Sequence, residues 1–331
     1  MIEVKNLTKR YGANVAVSDL SFKVESGQVY GFLGPNGAGK STTMNIITGC
    51  LAATDGQVII NGHDIFEEPD KAKRCIGYLP EIPPLYPDMT PYEYLSFVGM
   101  AKGLKGVKLK DGIAKVSEIT GITDVLHRLI RNLSKGYKQR VGIAQALIGD
   151  PEIVILDEPT VGLDPIQIIE IRDLIKNLGK KHTVILSSHI LSEVSAICDE
   201  ILIISKGKLV ANDTTENLST LFETDSTLEL QVKGSVDKIK EILEGIEGVK
   251  DVKITDATVE GVITAEASAD KDKDIREAVF YAMQKADCPL LSMNVKKTSL
   301  EDAFLNLTAG DAAEKNRKKS RKNKNKEDGN Q

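Results

Sequence analysis

The sequence contains no tryptophan, and only 5% of its 331 residues are aromatic. Its four cysteines and four histidines lack the close spacing of a zinc site or a redox motif. No apolar run approaches the ~18 residues of a membrane-spanning helix, and the first residues have no signal-peptide core. These absences predict a protein of the reducing cytosol, without a structural zinc site and without a membrane span of its own.

Charge is plentiful in both signs but unevenly distributed. The net charge is −5 at pH 7, whereas residues 314–331 carry eight Lys or Arg and three Asp or Glu, a net +5 that leaves −10 for the remainder. We predict that this basic tail, taken as residues 310–331, is disordered. The tail could serve solubility alone, or it could contact anionic lipid head groups or RNA.

The first ~210 residues alternate apolar, strand-like runs with helical patterns, which is typical of α/β architecture. The strands predicted from these runs are Gly27–Gly34, Glu152–Glu158, His182–Ser188 and Glu200–Val210. Between residues 80 and 150 only helical patterns occur. We therefore predict a first domain over residues 1–215 that contains a helical subdomain at about 82–150.

Beyond residue 215 the pattern changes to short alternating runs between amphipathic helices. The order β-α-β-β-α-β predicts a small α+β, ferredoxin-like domain over residues 216–309. Its first helix is expected to bury one face, formed by Val236, Ile239, Ile242, Leu243 and Ile246. No glycine-rich cradle or ligand cluster marks this domain as catalytic, so we expect a regulatory or docking role.

A glycine-rich segment, GPNGAGKST at Gly34–Thr42, follows one predicted strand and opens a helix. It fits the phosphate-binding loop of P-loop NTPases, in which glycines let backbone N–H groups wrap the phosphates. Lys40 would neutralise the β- and γ-phosphates, and Ser41 would offer its hydroxyl to Mg²⁺. The residues expected to bind nucleotide are Gly34, Asn36, Gly37, Ala38, Gly39, Lys40, Ser41 and Thr42.

Two adjacent carboxylates, Asp157 and Glu158, end the predicted strand IVIL. Packing does not explain them, because paired buried carboxylates repel one another and lose solvation. A Mg²⁺ beside Asp157 resolves the repulsion, and Glu158 is then placed to activate water as a general base. A solvated strand end is the alternative, which the phosphate-binding loop disfavours.

His189 follows the predicted strand that ends in SS. A lone histidine is more often structural than functional, but ligands of open α/β sheets bind at the carboxyl ends of the strands. We therefore predict that His189 contacts the γ-phosphate. The other histidines, His63, His127 and His182, are expected to be structural.

The segment LSKGYKQR, Leu133–Arg140, lies some 95 residues beyond the phosphate-binding loop. Ser134 stands where a helix should begin, and a helix N-terminus with a cationic first turn attracts anions. If the anion is the nucleotide phosphate, this helix N-terminus and the phosphate-binding loop must come together around one ligand. They could converge within one chain or across two chains.

Taken in order, GPNGAGKST, LSKGYKQR, ILDEPTVGLDP and SSH resemble the motifs of the ATP-binding subunit of ABC transporters, and the resemblance covers residues 1 to about 215. In that family two ATPase domains pack head to tail, and the signature segment of one closes on ATP held by the other. The resemblance therefore implies a homodimer or paired ATPase in which Ser134 and Gly136 bind the partner's ATP.

The same resemblance implies further roles. Tyr11 would stack on adenine, and Asp164 would lie at the dimer interface. Glu81 occupies the Mg²⁺-sensing loop, so the implied metal ligands are Ser41, Glu81 and Asp157. Residues 82–95 would form a groove for the coupling helix of a permease.

Two positions depart from the family pattern. The sensing loop usually carries Gln where this chain has Glu81, and the signature reads LSKGY rather than LSGGQ, with Lys135 and Tyr137 replacing Gly and Gln. The capping Ser134 and the close-approach Gly136 are retained. We hypothesise that Lys135 adds attraction for the partner's ATP.

The segments GYLPE and TSLEDAFLNLT (residues 298–308) resemble a subgroup of bacterial exporters of drugs, antibiotics, sodium or polymers with separate permeases. The resemblance implies an ATP-hydrolysing subunit, cytoplasmic and peripheral on the inner face of the membrane. One alternative is a non-transport ABC ATPase acting on ribosomes or nucleic acid, and another is an ATP sensor without turnover. A single phosphate-binding loop and the absence of sustained heptads disfavour the first, and Glu158 disfavours the second.

Overall fold

A computed structural model describes residues 1–222, 225–255, 261–270 and 273–296. The chain divides into two compact units, Met1–Thr215 and a second that begins at Glu216. Within the described residues, no helix is both long enough and apolar enough to cross a membrane.

The first unit contains ten strands and seven α-helices, and an eighth helix begins at its last residue. The strands and helices up to the helical insertion are β1 (Ile2–Tyr11), β2 (Asn14–Val24), β3 (Val29–Leu33), α1 (Lys40–Ile47), β4 (Asp55–Ile60), β5 (His63–Asp64), α2 (Pro69–Arg74) and β6 (Ile76–Leu79). Those that follow are α3 (Pro91–Ala101), α4 (Gly106–Thr120), α5 (Lys135–Leu147), β7 (Ile153–Leu156), α6 (Pro165–Gly179), β8 (Thr183–Ser188), α7 (Leu191–Ser195), β9 (Glu200–Ser205), β10 (Lys208–Thr214) and α8 (Thr215–Phe222).

The central sheet has six strands in the order β10-β9-β3-β8-β7-β6. Neighbouring strands are parallel except for the β9–β10 pair. Every residue of β3, β7 and β8 is buried, as expected for apolar strands covered on both faces. The carboxyl ends of these three strands therefore share one edge, where β3 leads into the phosphate-binding loop.

The prediction of a single strand over Glu200–Val210 is wrong. The chain turns at Lys206 and Gly207, whose φ angles are 49° and 75°, so the segment forms an antiparallel hairpin of β9 and β10. The left-handed backbone at the glycine explains the turn. The sequence SKGK carries this signal, but the apolar residues on either side of it suggested one continuous run.

A second sheet, in the order β2-β1-β4-β5, is antiparallel throughout. Sequence patterns did not identify it. Its inner residues, such as Leu20 and Val58, share one buried core with Phe32 of β3, Met44 of α1 and Ile155 of β7. This shared core fixes the phosphate-binding loop between the two sheets.

The stretch between β6 and β7 is described completely, and it contains no strand. It comprises α3, α4 and α5 with two short 3₁₀ turns at residues 123–125 and 130–132. Helix α3 begins with a reciprocal capping box, because the Thr90 hydroxyl accepts the Glu93 N–H and the Glu93 carboxylate accepts the Thr90 N–H.

The second unit contains β11 (Asp225–Lys233), α9 (Val236–Glu244), β12 (Val249–Thr255), β13 (Val262–Asp270), α10 (Arg276–Lys285) and β14 (Leu290–Lys296). Its sheet has the order β12-β13-β11-β14, and all neighbouring strands are antiparallel. Of the predicted inner face of α9, Ile239 and Leu243 are buried, whereas Val236 is 43% exposed because it begins the helix. The predicted tail and the segment 298–308 lie outside the described residues.

Candidate active site

The phosphate-binding loop joins β3 to α1 through a left-handed backbone. Gly37 and Gly39 have φ angles of 80° and 106°, and a Cβ at Gly39 would lie 2.7 Å from the Ala16 carbonyl oxygen. Residue 39 must therefore be glycine, because its φ angle is positive and because a side chain would clash with the Ala16 carbonyl. No side chain caps α1, so the N–H groups of its first turn can receive an anion.

Lys40 is buried at the base of this loop, with 6% of its surface exposed. Its ammonium donates to the Gly34 carbonyl at 2.7 Å and lies 3.3 Å from the Glu158 carboxylate. A buried charge needs partners of this kind. The loop and the end of β7 are thus joined by an ion pair.

Two carboxylates follow β7 and differ in their surroundings. Asp157 is 2% exposed and accepts a hydrogen bond from the Ser187 hydroxyl at 2.5 Å, while the Glu158 N–H donates to that same hydroxyl at 2.8 Å. Glu158 has a φ of 48°, an uncommon left-handed conformation for a residue with a side chain. Its second carboxylate oxygen lies 3.0 Å from His189 Nδ1.

These groups open onto a cavity of about 740 Å³. The predicted site residues that line it are Tyr11, Asn36, Gly37, Gly39, Lys40, Ser41, Thr42, Glu81, Glu158 and His189. The structure therefore brings together residues from the end of β1, from the phosphate-binding loop and from the segments that follow β6, β7 and β8. Tyr11 is 51% exposed at the end of β1, and the Lys9 ammonium lies 5.2 Å from the centroid of its ring.

Three predicted residues support the cavity without lining it. Gly34 packs so closely that a Cβ would lie 2.5 Å from the Ile204 carbonyl oxygen, Ala38 is 3% exposed, and Asp157 is buried beneath Ser187. Sequence reasoning missed five lining residues, namely Asn14, Val15, Ala16, Val161 and Lys206. Their signal is weak because they belong to the start of β2, to the turn between β9 and β10 and to the loop after β7.

The signature segment occupies a different surface of the first unit. The Ser134 hydroxyl caps α5 by accepting the Tyr137 N–H at 3.4 Å, and the Tyr137 hydroxyl donates to Asp124 at 2.9 Å. Neither Ser134 nor Gly136 lines the cavity beside the phosphate-binding loop. The convergence of both sites within one chain is therefore not observed.

Asp164 stands at the start of α6, where its carboxylate accepts the Gln167 N–H at 3.0 Å. Gln167 also lies against the signature, because a Cβ at Gly136 would be 2.6 Å from its amide carbon. The first turn of α6 and the signature segment of one chain are therefore in contact.

A second cavity, of about 570 Å³, lies beside the helical insertion. Pro84, Tyr86 and Tyr94 of the predicted groove line it together with Phe97. Burial raises the pKa of Tyr94 to about 12, and the nearby Tyr86 adds to the effect. Tyr78, at its inner end, has a pKa raised by burial and by the charges of Asp157 and Glu81 among others. Tyr78 and Tyr94 therefore stay neutral at physiological pH, and the groove presents aromatic surface.

Comparison with known proteins agrees with this geometry. The model of the family described as "ABC transporter" matches residues 17–161. The linearmycin resistance ATP-binding protein LnrL of Bacillus subtilis is 36% identical over 93% of this chain and 98% of its own. The chain belongs to the ABC transporter family.

Two further similarities concern shorter proteins. The lantibiotic transport ATP-binding protein SrtF of Streptococcus pyogenes is 38% identical to this ABC protein over 69% of this chain and 99% of its own. A solved dimeric structure of a bacterial ABC transporter cassette has a TM-score of 0.60 and 27% identity, covering 65% of this chain and 98% of that one.

The prediction of an ABC ATPase with a P-loop NTPase fold is thereby confirmed. This ABC protein is an ATP-hydrolysing subunit of a membrane transporter, and the similarities favour that function over action on ribosomes or nucleic acid. Within the part of the chain that the structure describes, no group of three or more His, Cys, Asp or Glu side chains is arranged to hold a metal ion.

Proposed function

We propose that two copies of this chain close head to tail around two ATP molecules and drive a separate permease that exports a toxic compound. The observation that carries the proposal is the approach of Glu158 and His189 beside the phosphate-binding loop, with 3.0 Å between their side chains. The relatives named for linearmycin resistance and lantibiotic transport make these two compounds the first cargoes to test.

Each residue at the cavity has a distinct role in this proposal. Backbone N–H groups of Gly37 to Thr42 hold the phosphates, and Lys40 neutralises their charge. Tyr11 stacks on the adenine. Glu158 accepts a proton from the attacking water, and His189 holds the Glu158 carboxylate and contacts the γ-phosphate.

The oxygen ligands available at this site suit Mg²⁺, which does not need a site built entirely from protein groups. Mg²⁺ prefers one or two protein oxygens together with phosphate oxygens and water, and Asp157, Ser41 and Glu81 supply only oxygen. Asp157, Ser41 and Glu81 would hold the ion together with phosphate oxygens and water. When bound, the ion would neutralise charge on the phosphates.

The partner copy completes the nucleotide site. Ser134 and Gly136 do not line the cavity beside their own phosphate-binding loop, so we assign them to the γ-phosphate held by the other copy. Asp164, which caps α6 at the edge of this surface, would lie at the interface between the copies.

The permease would dock in the aromatic groove that includes Tyr86 and Tyr94. The chain would then be peripheral on the inner face of the cell membrane, held there by its permease. We assign residues 1–215 to the ATPase domain, with its helical subdomain at about 82–150, and residues 216–309 to a ferredoxin-like accessory domain, since its strand order and antiparallel pairing match that fold. Lipid contact by residues 310–331 concerns residues outside the described part of the chain.

The decisive experiment is ATP hydrolysis by the purified full-length chain and its Glu158→Gln variant. We expect hydrolysis to fall on the order of 10²–10⁴-fold, while ATP binding persists and ATP stabilises a dimer in analytical ultracentrifugation. Glu118→Gln, which alters an exposed glutamate of α4, is the matched control. Adding Ser134→Ala to Glu158→Gln should abolish the ATP-dependent dimer.

A second experiment tests transport. The tagged chain is purified from native membranes in mild detergent, and a polytopic permease at about one-to-one stoichiometry is expected. Recovery with ribosomes and without a permease would contradict the transport proposal.

A further inference from the structure

Glu193 of α7 is a buried carboxylate outside the cavity. Only 6% of its surface is exposed, and it does not line the nucleotide site. One of its oxygens accepts two hydrogen bonds, from the Thr160 hydroxyl at 2.6 Å and from the Ser188 hydroxyl at 3.3 Å. Its other oxygen lies 3.8 Å from the Arg172 guanidinium of α6.

The two hydroxyls belong to the two segments that carry the reaction. Thr160 lies two residues after Glu158, and Ser188 directly precedes His189. The ladder between β7 and β8 ends at the Leu156–Leu186 pair, so backbone pairing no longer fixes the spacing of the segments beyond it. Beyond that pair the Ser187 hydroxyl accepts the Glu158 N–H at 2.8 Å, and Glu193 adds a second bridge by joining Thr160 to Ser188.

The bridge also reaches the phosphate-binding loop. The Gly34 N–H donates to the Ser188 carbonyl at 3.3 Å, and the Ser188 hydroxyl accepts the Ile190 N–H at 3.0 Å. Ser188 is therefore held from three sides. A shift of this residue would move both the loop that receives phosphate and the histidine beside Glu158.

Stability alone does not account for a charge at this place. A buried carboxylate loses its hydration, and a partner 3.8 Å away restores only part of that loss. Arg172 is itself incompletely satisfied, because its Nε is buried without a hydrogen-bond partner. Such costs are expected where a group fixes the geometry of a functional site.

We propose that Glu193 is a positioning residue that sets the distance between Glu158 and His189 by tying Thr160 to Ser188. The inference rests on the proposed roles of Glu158 and His189 in hydrolysis. Glu193 does not line the proposed nucleotide cavity. Its removal should therefore slow turnover while leaving ATP affinity unchanged, because a displacement of about 1 Å can cost up to 10²-fold in rate.

The test compares Glu193→Ala, Glu193→Gln and the exposed Ser192→Ala as a control on the same helix, all in the full-length chain. We expect Glu193→Ala to lower kcat by about 10- to 100-fold with the Kd for ATP within about twofold. Glu193→Gln keeps an oxygen acceptor of the same reach, so it should restore most of the rate. Ser192→Ala should match the wild type.

The Thr160 arm of the bridge provides a second, independent test. Thr160→Val removes the hydrogen bond from the Thr160 hydroxyl to Glu193. Because this change and Glu193→Ala break the same connection, the double variant should lower kcat no further than Glu193→Ala alone. Full additivity of the losses would overturn the bridge.

A spectroscopic readout separates positioning from simple loss of stability. The chain has only four histidines, so the ring resonances of His189 can be assigned with a His189→Gln variant. Glu193→Ala should shift the His189 resonances and leave those of His63 in place. Unchanged His189 resonances, or unchanged kcat in a folded Glu193→Ala protein, would overturn the inference. Absence of hydrolysis in the wild type would instead count against the proposed function, and the resonances would still decide the role of Glu193.

Discussion

The ammonium group of Lys135 lies against Gly162 of the same chain, so close that a Cβ at residue 162 would overlap it. Gly162 belongs to the loop between β7 and α6 and has a φ of +67°. Because glycine has no side chain, the Lys135 ammonium can lie at this position. The residue that departs most clearly from the LSGGQ pattern is thus packed on the loop that ends at Asp164, beside the proposed dimer interface.

Replacing Lys135 by Ala should weaken ATP-driven dimerisation. The lysine adds positive charge where we place the partner's triphosphate, and exposed charges of this kind contribute modestly, so a loss of about twofold to fivefold in dimer affinity is expected at low salt. The measurement is sedimentation of the Glu158→Gln chain with ATP at two salt concentrations. Screening should shrink the difference at high salt.

Lys108→Ala removes an exposed lysine from α4 and is the matched control. If Lys135→Ala dimerises with the affinity and salt dependence of the parent, the attraction hypothesis fails.

Gly162→Ala should destabilise the first unit for a backbone reason. A side chain at a φ of +67° costs about 1–2 kcal/mol, and the Lys135 side chain must also move aside. Chemical denaturation measures the loss. In the Lys135→Gly background the overlap is absent, so Gly162→Ala should cost less there. An equal cost in both backgrounds would show that the contact with Lys135 contributes nothing.

Glu81→Gln should change the dependence on magnesium. In the proposed site Glu81 contributes a carboxylate beside both the ion and the triphosphate. Glutamine would bind Mg²⁺ more weakly, so hydrolysis should need a several-fold higher Mg²⁺ concentration for half its maximum rate. Without the metal, ATP should bind more tightly because a negative charge has gone. Identical magnesium titrations for both proteins would remove Glu81 from the metal site.

The capping box of α3 should make stability depend on pH in the acid range. The backbone N–H and the hydroxyl of Thr90 hold the pKa of Glu93 below its usual value of 4.5. A lowered folded pKa means that the contribution is present above the unfolded pKa and is lost as the pH falls through the folded pKa. The stability difference between wild type and Glu93→Gln, measured by denaturation, should therefore shrink below pH 4.5. A difference that stays constant with pH would contradict the capping interaction.

Local patterns in the sequence identified the phosphate-binding loop and the strand before Asp157. Both depend on short-range rules: glycines for a tight turn, and a continuous apolar run for a doubly covered strand. The same rules placed Ser134 at the start of a helix, where its hydroxyl caps α5. Functional features formed by residues that are close in the sequence can be predicted in this way.

Contacts between segments that are distant in the sequence could not be predicted. Nothing in the sequence around Glu193 indicates that Thr160, 33 residues away, donates a hydrogen bond to it. The hairpin at Lys206 was also missed, because apolar residues on both sides of a short turn resemble one strand. Such features arise only when the sheet brings separate segments to the same edge.

Every residue assigned here to ATP lies before Thr215, where the first compact unit ends. The match to SrtF covers 69% of this chain and 99% of SrtF, so a protein of that shorter length also belongs to the similar ATP-binding proteins. The first unit, which holds the ATP site, and the second unit can then change independently during evolution. Exchanging the segment after residue 215 between relatives would then change the second unit and leave every residue assigned to ATP in place.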